Sequence, residues 1–502
     1  MTHPAGTAWP ANPVLHELGT WPWLTELEAR YGRPMTLADV PEEVWDDVAR
    51  PGIDAVWLMG VWERSPAGAA IARTNPAMVA AQREALVDVT DADVVGSAYC
   101  IRRYRPDPRF GGAPGLAAAR AALAARGVRL LLDWVPNHVA PDHPWVVEHP
   151  EYFIRSTPEA LAADPDSFLE VGGQVFARGR DPYFPAWPEV LQLDTTASAT
   201  RRAAAAELAA VAECCDGVRC DMAMLVLDEV VARTWGPLAS TPDGAAGYWP
   251  AVMAGVRARH PGFAFFAEAY WGLEGALLEA GFDACYDKTL YDRLVHGDVG
   301  GVRAHLAGAD QAWQRCTVRF LENHDEPRAA ASFDPSGQRA AALLLLTTPG
   351  VALLHEGQFE GRRVRVPVTL RRRPDERPDV ELAVWYRRLL DRSAALGLRR
   401  GAWAWCEPAG WPDNRSCEQL GAWCWSGPAG RHLVVINLGG QPAQARIRWP
   451  WRGDDRRTRG ERPVCLRDLL TDVVYERDGA ELVADGLYVG LDGHCAHLFV
   501  VD

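Results

Sequence analysis

Eight short apolar runs, each preceded by a helical stretch or a loop, constrain this chain more than any other feature. They are VLHEL (14–18), DAVWLMG (54–60), VRLLLDWV (128–135), GVRCD (217–221), FAFFAEAYW (263–271), GFDACYD (281–287), TVRFLENHD (317–325) and GVALLHEG (350–357). Their apolar residues run continuously rather than alternating, the texture of parallel strands buried on both faces. Between them lie alanine-rich helical stretches with glycine stops, such as GLAAARAALAARG (115–127) and RRAAAAELAAVAECC (201–215). Eight such units predict an α/β fold, a (β/α)8 barrel, closed by the helical stretch 379–397.

Asp133 and Asp221 stand 88 residues apart, too far for one strand-to-strand step. The excess, 139–195, is rich in Pro, Asp and aromatics and predicts a small subdomain inserted after the third strand. Residues 1–138 and 196–400 then form the barrel. From 401 to 502 the texture changes to short strands punctuated by Gly, Asp and Pro, which predicts an antiparallel β-sandwich domain. Its Trp403, Trp405, Trp423 and Trp425 would bind polysaccharide or brace the barrel; alternating tryptophans favour bracing.

A net charge of −14 argues against a nucleic-acid partner. No apolar run nears the ~20 residues of a membrane span. The first residues lack a basic patch followed by an apolar stretch, so no secretory signal is expected and the cytoplasm is the expected compartment. Eleven scattered cysteines without a CxxC pair read as buried free thiols. Lys288 is the only lysine, which reads as GC-rich codon usage. The pattern leaves the oligomeric state open.

The chemistry lies at strand ends. In GVRCDMAM (217–224), Arg219 and Asp221 leave one face of a strand together. The third strand ends with Asp133, Asn137 and His138, the fifth with Glu268, the seventh with Asn323, His324 and Asp325. Carboxyl-terminal strand ends of a barrel share one site, so these groups are expected to converge. Arg219 is expected to hold Asp221 ionised through a bidentate pair. Glu268, with no cation beside it in sequence, is expected to have a raised pKa and donate a proton. One ionised and one protonated carboxyl is the pair that retaining glycoside cleavage needs. Asp325, His138 and His324 would hydrogen-bond sugar hydroxyls.

These segments resemble the four signature regions of the α-amylase family of retaining glycosidases (glycoside hydrolase family 13), and the resemblance covers nearly the whole chain. It implies Asp221 as nucleophile, Glu268 as general acid/base and Asp325 as transition-state stabiliser. It implies Arg219, His138 and His324 as substrate-binding residues, with Asp133, Asn137 and Asn323 in support. GSAYCIRRYRPDPRFGG (96–112) resembles the segment whose tyrosine stacks on the sugar being cleaved, which implies that role for Tyr99. LQLD (191–194) resembles a motif closing the inserted subdomain.

The chain departs from the pattern at two places. Cys100 follows Tyr99 where many members have Asp. Met224 and Leu225 replace the Lys-His of starch-degrading members, whose His carbonyl often serves a structural calcium. No metal at the site and no cofactor are expected, a structural calcium stays open, and an apolar wall is expected on the acceptor side. The implied activity is hydrolysis of an α-glucoside or α-glucan. Transglycosylation or isomerisation of small α-glucosides at the same site stays open, as does, more remotely, a non-catalytic scaffold. APDHPWVVEHPEYF (140–153) resembles trehalose synthase-like and maltosyltransferase-like members locally.

Overall fold

The computed structural model describes residues 8–241, 247–451 and 463–502. Eight parallel strands close into a barrel in chain order: β1 (Val14–Gly19), β2 (Ala55–Met59), β3 (Arg129–Trp134), β4 (Gly217–Cys220), β5 (Ala264–Ala267), β6 (Ala284–Tyr286), β7 (Thr317–Arg319) and β8 (Val351–His355), with β8 pairing back on β1. All eight runs named above become strands. Several stop early: the run from 263 is strand only to Ala267, and the run from 317 only to Arg319. The polar residues that follow have left the ladder, which frees their side chains to turn over the barrel mouth.

Alternation along the strands separates two cores. Val56, Leu58, Leu130, Leu132, Val218 and Cys220 point outward and join the large cluster under the helices. Leu15, Trp57, Leu131, Phe266, Tyr286 and Leu353 point inward and fill the barrel. Arg219 alternates with Val218 and Cys220, and its register partners are Asp133 and Phe266. The same parity sets Glu17 after Leu15, Asp133 after Leu131, and Glu268 after Phe266. A polar layer therefore caps an apolar one inside the barrel.

Two excursions build over that layer. Between β2 and β3, strands Trp62–Arg64 and Ile101–Pro106 pair around the helices Pro66–Thr74 and Pro76–Ala85. These helices begin on the side-chain caps of Ser65 and Asn75, each followed by proline at the first helical position. Between β3 and β4, His138–Val139 pairs with Leu191–Gln192, and a three-stranded sheet packs on Val146, Phe153 and Phe176.

The carboxyl-terminal region forms a six-stranded and a three-stranded antiparallel sheet. In Leu420–Gly427, Ala422 and Cys424 face the second sheet, while Trp423 and Trp425 face the barrel core. Both indoles donate to the Thr347 carbonyl, at 3.0 and 2.7 Å, at the end of helix Pro335–Thr347. The alternating tryptophans brace the barrel. The cysteine expectation is corrected in part: all eleven are free, but Cys495 is exposed and Cys214, Cys316, Cys417 and Cys465 are half-buried. Among the described residues, no helix is long and apolar enough to cross a membrane. Trp425→Ala is expected to cost about 3–5 kcal/mol, as large aromatic deletions in a packed core do. Denaturant unfolding would measure it.

Candidate active site

Arg219 organises the polar layer. Its guanidinium is 2% exposed. Nη1 lies 2.6 Å from Asp221 Oδ1, and Nη2 lies 2.8 Å from Glu268 Oε2 and 4.0 Å from Asp325 Oδ2. Nη2 is out of line for a hydrogen bond and acts through charge. Nε donates to the Tyr286 hydroxyl at 3.3 Å. The rings of Trp57 and Tyr99 each lie 5.2 Å from Cζ, within cation–π range. This corrects the expected bidentate pair with Asp221. The two terminal nitrogens are divided between carboxyls carried after adjacent strands, so Glu268 does have a cation beside it.

Glu268 is held at both oxygens. Oε1 accepts from Tyr270 Oη at 2.8 Å, and Oε2 accepts from the Met222 backbone N–H at 2.6 Å. Met222 reaches that position with φ 41°, a left-handed conformation costly for a side-chain-bearing residue. Burial, only partly offset by Arg219 and reinforced by Asp221 and Asp325, pushes the Glu268 carboxyl up to about 7. Burial also raises Asp221, with Arg219 opposing it. Burial works against the Arg219 charge too, but Glu268, Tyr99, Tyr286 and Asp221 hold it protonated.

His324 stands between two carboxyls. Nδ1 lies 2.5 Å from Glu17 Oε1, and Nε2 lies 2.8 Å from both Asp325 Oδ2 and Tyr99 Oη. Tyr99 stacks on the imidazole with centroids 5.3 Å apart. Burial alone would discharge this ring; Asp325 and Glu17 raise its pKa well above the usual histidine value. Its two N–H groups face protein partners, unlike the free donor expected from sequence. Asp325 sits at the rim with its side chain 47% exposed. Partial desolvation at the rim pushes it up, but His324 and Arg219 outweigh that and hold it low. Asn323 fixes the turn, its Oδ1 accepting from the Asp325 and Glu326 N–H groups at 2.9 Å each.

The remaining residues from the sequence take two positions. His138 lies beside Trp187, ring centroids 5.2 Å apart, and burial lowers its pKa to about 4, so it is neutral. Asp133 is fully buried, accepting from Trp57 Nε1 at 3.1 Å and Gly60 N–H at 2.8 Å. Burial raises it to about 6. Asn137 exchanges hydrogen bonds with Gln192, at 3.1 and 2.9 Å, tying the excursion after β3 to the barrel.

An open cavity of about 290 Å³ is lined by Tyr99, His138, Trp187, Asp221, Met222, Glu268, Tyr270 and Asp325, among others. Asp133, Asn137, Arg219 and His324 lie outside this lining. Met224 and Leu225 are buried in the core, so they do not form the expected apolar wall; Met222 is the apolar residue that reaches the cavity. Glu17, Tyr270, Tyr286, Trp57 and Trp187 were not singled out from the sequence. For Glu17 a signal existed: an acidic residue inside an apolar run.

No family model matches the chain. The α-amylase MalA of Haloarcula japonica is 28% identical over 254 residues, 48% of this chain. The chain spans about a third (33%) of the length of that curated relative. An α-amylase from Lactobacillus plantarum superposes with a TM-score of 0.67 at 20% identity, covering 98% of this chain and 99% of the other. The resemblance is to the α-amylase family. The noncanonic maltogenic α-amylase AmyB of Thermotoga neapolitana gives 0.66 at 17% identity, with coverage of 98% and 99%. The α-amylase resemblance read from the motifs thus extends to a sequence relative and to the fold.

Glu17→Gln removes one of the two anions flanking His324. The His324 pKa is expected to fall, because its charged form loses a partner. A histidine NMR titration of the variant against the parent would read the shift.

Proposed function

We propose that the chain is a retaining glycosidase of α-glucosidic bonds, acting on maltooligosaccharide-type substrates through a glycosyl-aspartate. The observation that carries this reading is the Arg219 guanidinium shared by Asp221 and Glu268. Carboxyls on neighbouring nitrogens of one planar group favour the short separation of ~5 Å used in retention over the wider gap that admits water in inversion. The α-amylase relative and the α-amylase fold neighbours support the substrate class.

Asp221 attacks the anomeric carbon as the glycosidic bond breaks. Glu268 gives its proton to the leaving oxygen. Glu268, now ionised, then takes a proton from water as the water's oxygen attacks the anomeric carbon, and Asp221 leaves as carboxylate. Asp325 accepts hydrogen bonds from ring hydroxyls, and Tyr99 packs against the ring. Arg219 and His324 act as positioning groups beneath them.

Glu268→Gln is expected to slow hydrolysis of maltooligosaccharides by about 10²–10⁴-fold. It should slow glycosylation by an α-glucosyl fluoride far less, since fluoride needs little protonation to leave. A loss of equal size on both substrates would remove Glu268 from the acid role. The acid form of Glu268 is the reactive one, so the rate should fall as pH rises through about 7. A pH–rate profile checks this limb.

A second reading, transfer to a sugar acceptor, is favoured by exposed aromatics near Glu268. Tyr183, Phe184 and Trp271 are 53%, 66% and 38% exposed, and Tyr183 meets Trp271 with centroids 4.8 Å apart. Exposed apolar surface flanking a cleft marks a binding face. Trp271→Ala should lower the ratio of transfer products to reducing ends released from labelled maltotriose. An unchanged ratio would count against an acceptor shelf.

A further inference from the structure

We propose that a strap across one end of the cleft makes this site exo-acting, removing a single glucosyl unit from the non-reducing end of a short α-glucan. The proposal rests on the chemistry assigned above and adds which bond is reached.

The strap joins two loops far apart in sequence. Val94 and Leu370 form an antiparallel bridge. The Val95 N–H donates to the Thr369 carbonyl at 2.8 Å, and the Arg371 N–H donates to the Asp93 carbonyl at 2.9 Å. Arg372 clamps the Asp93 carboxylate with Nε at 2.8 Å and Nη2 at 3.0 Å. Arg64 donates from one Nη1 to both segments, to the Gly96 carbonyl at 2.6 Å and the Val368 carbonyl at 3.0 Å. Leu86, Val94 and Leu370 are buried together in a small core of their own. Backbone pairing, a bidentate ion pair and apolar packing all hold the two loops in one arrangement.

Its position sets the specificity. Tyr99 lies three residues beyond Gly96 on one strapped segment, and Arg365, on the approach to the other, donates to the Asp325 carbonyl at 2.7 Å. His324 and the strapped residues Val366, Pro367, Val368 and Leu370 line one small cavity together, so the strap packs against the groups that flank Asp325. The leaving group stands at Glu268, so the glycosyl ring extends away from it, towards Tyr99, Asp325 and the strap. A further sugar on that ring would run into the strap. The 290 Å³ cavity itself lies at the small end of the ~300–1,000 Å³ typical of ligand sites.

The test compares maltoheptaose with maltoheptaose whose non-reducing O4 and O6 are tied in an acetal. Cleavage of the free sugar, with glucose as first product and at least 100-fold slower cleavage of the blocked one, is the expected result. Similar rates would overturn the strap and leave the glycosidase reading standing. No cleavage of either would overturn both. Asp93→Ala with Arg372→Ala, and the milder Asp93→Asn with Arg372→Gln, should each raise the blocked-to-free rate ratio at least tenfold. A ratio unmoved in a folded variant would overturn the strap as its cause.

Discussion

A buried guanidinium must be neutralised where it stands, and Arg219 is buried at the top of a barrel interior. Desolvation makes an unpaired charge there very costly. The barrel answers with more acid than one cation requires. Around Arg219 and the protonated His324 stand Asp221, Glu268, Asp325, Asp133 and Glu17. Asp325 sits at the rim, but the buried carboxyls still outnumber the cations, so ionisation is opposed where burial weighs most. Burial raises Asp133 to about 6 and Glu268 to about 7. Glu268 is the one of these two that reaches the cavity, so the proton the cluster cannot shed is presented where a leaving oxygen would sit.

Strand parity makes this arrangement possible. Inward positions one layer down are apolar, including Leu15, Leu131, Phe266 and Leu353. Two residues further along the same strands stand Glu17, Asp133, Glu268 and His355. The apolar layer supplies rigidity and low dielectric, and the layer above supplies charge. The same period of two sends Trp423 and Trp425 to the barrel and Ala422 and Cys424 into the sandwich. One rule of side-chain direction thus sets both the site and the contact that braces it.

Much of this was legible in sequence because the barrel repeats one local signal eight times. Each apolar run marks a strand, and the polar residues at its end mark the mouth. Arg219 and Asp221 were readable as a pair because parity is local. Their division of partners was not, because Glu268 comes from the next strand and its oxygens are aimed by Met222 and Tyr270. Glu17 carried a local signal, an acid inside an apolar run, but its role was not legible because its partner His324 lies 307 residues away. The excursion between β2 and β3 was opaque because its helices are short and its strands take their partners across about 40 residues. Met224 and Leu225 show the opposite case: only two and three residues past Met222, they turn into the core instead of lining the cavity.

On the proposed chemistry, the two sides of Glu268 carry different parts of the specificity. The glycosyl side is fixed by covalent attack at Asp221 and by groups held in hydrogen-bonded networks. Little can vary there without loss of rate. The other side is open, and whatever hydroxyl stands beside ionised Glu268 is the one deprotonated in the second half of the cycle. Water and sugar therefore compete on occupancy of that side alone, not on the acidity of either carboxyl. Tyr183 and Trp271 meet there at a rim exposed to solvent, one from the excursion after β3 and the other from the turn after β5. On the proposed chemistry, the carboxyl cluster would decide that a bond breaks and the outer rim what replaces it.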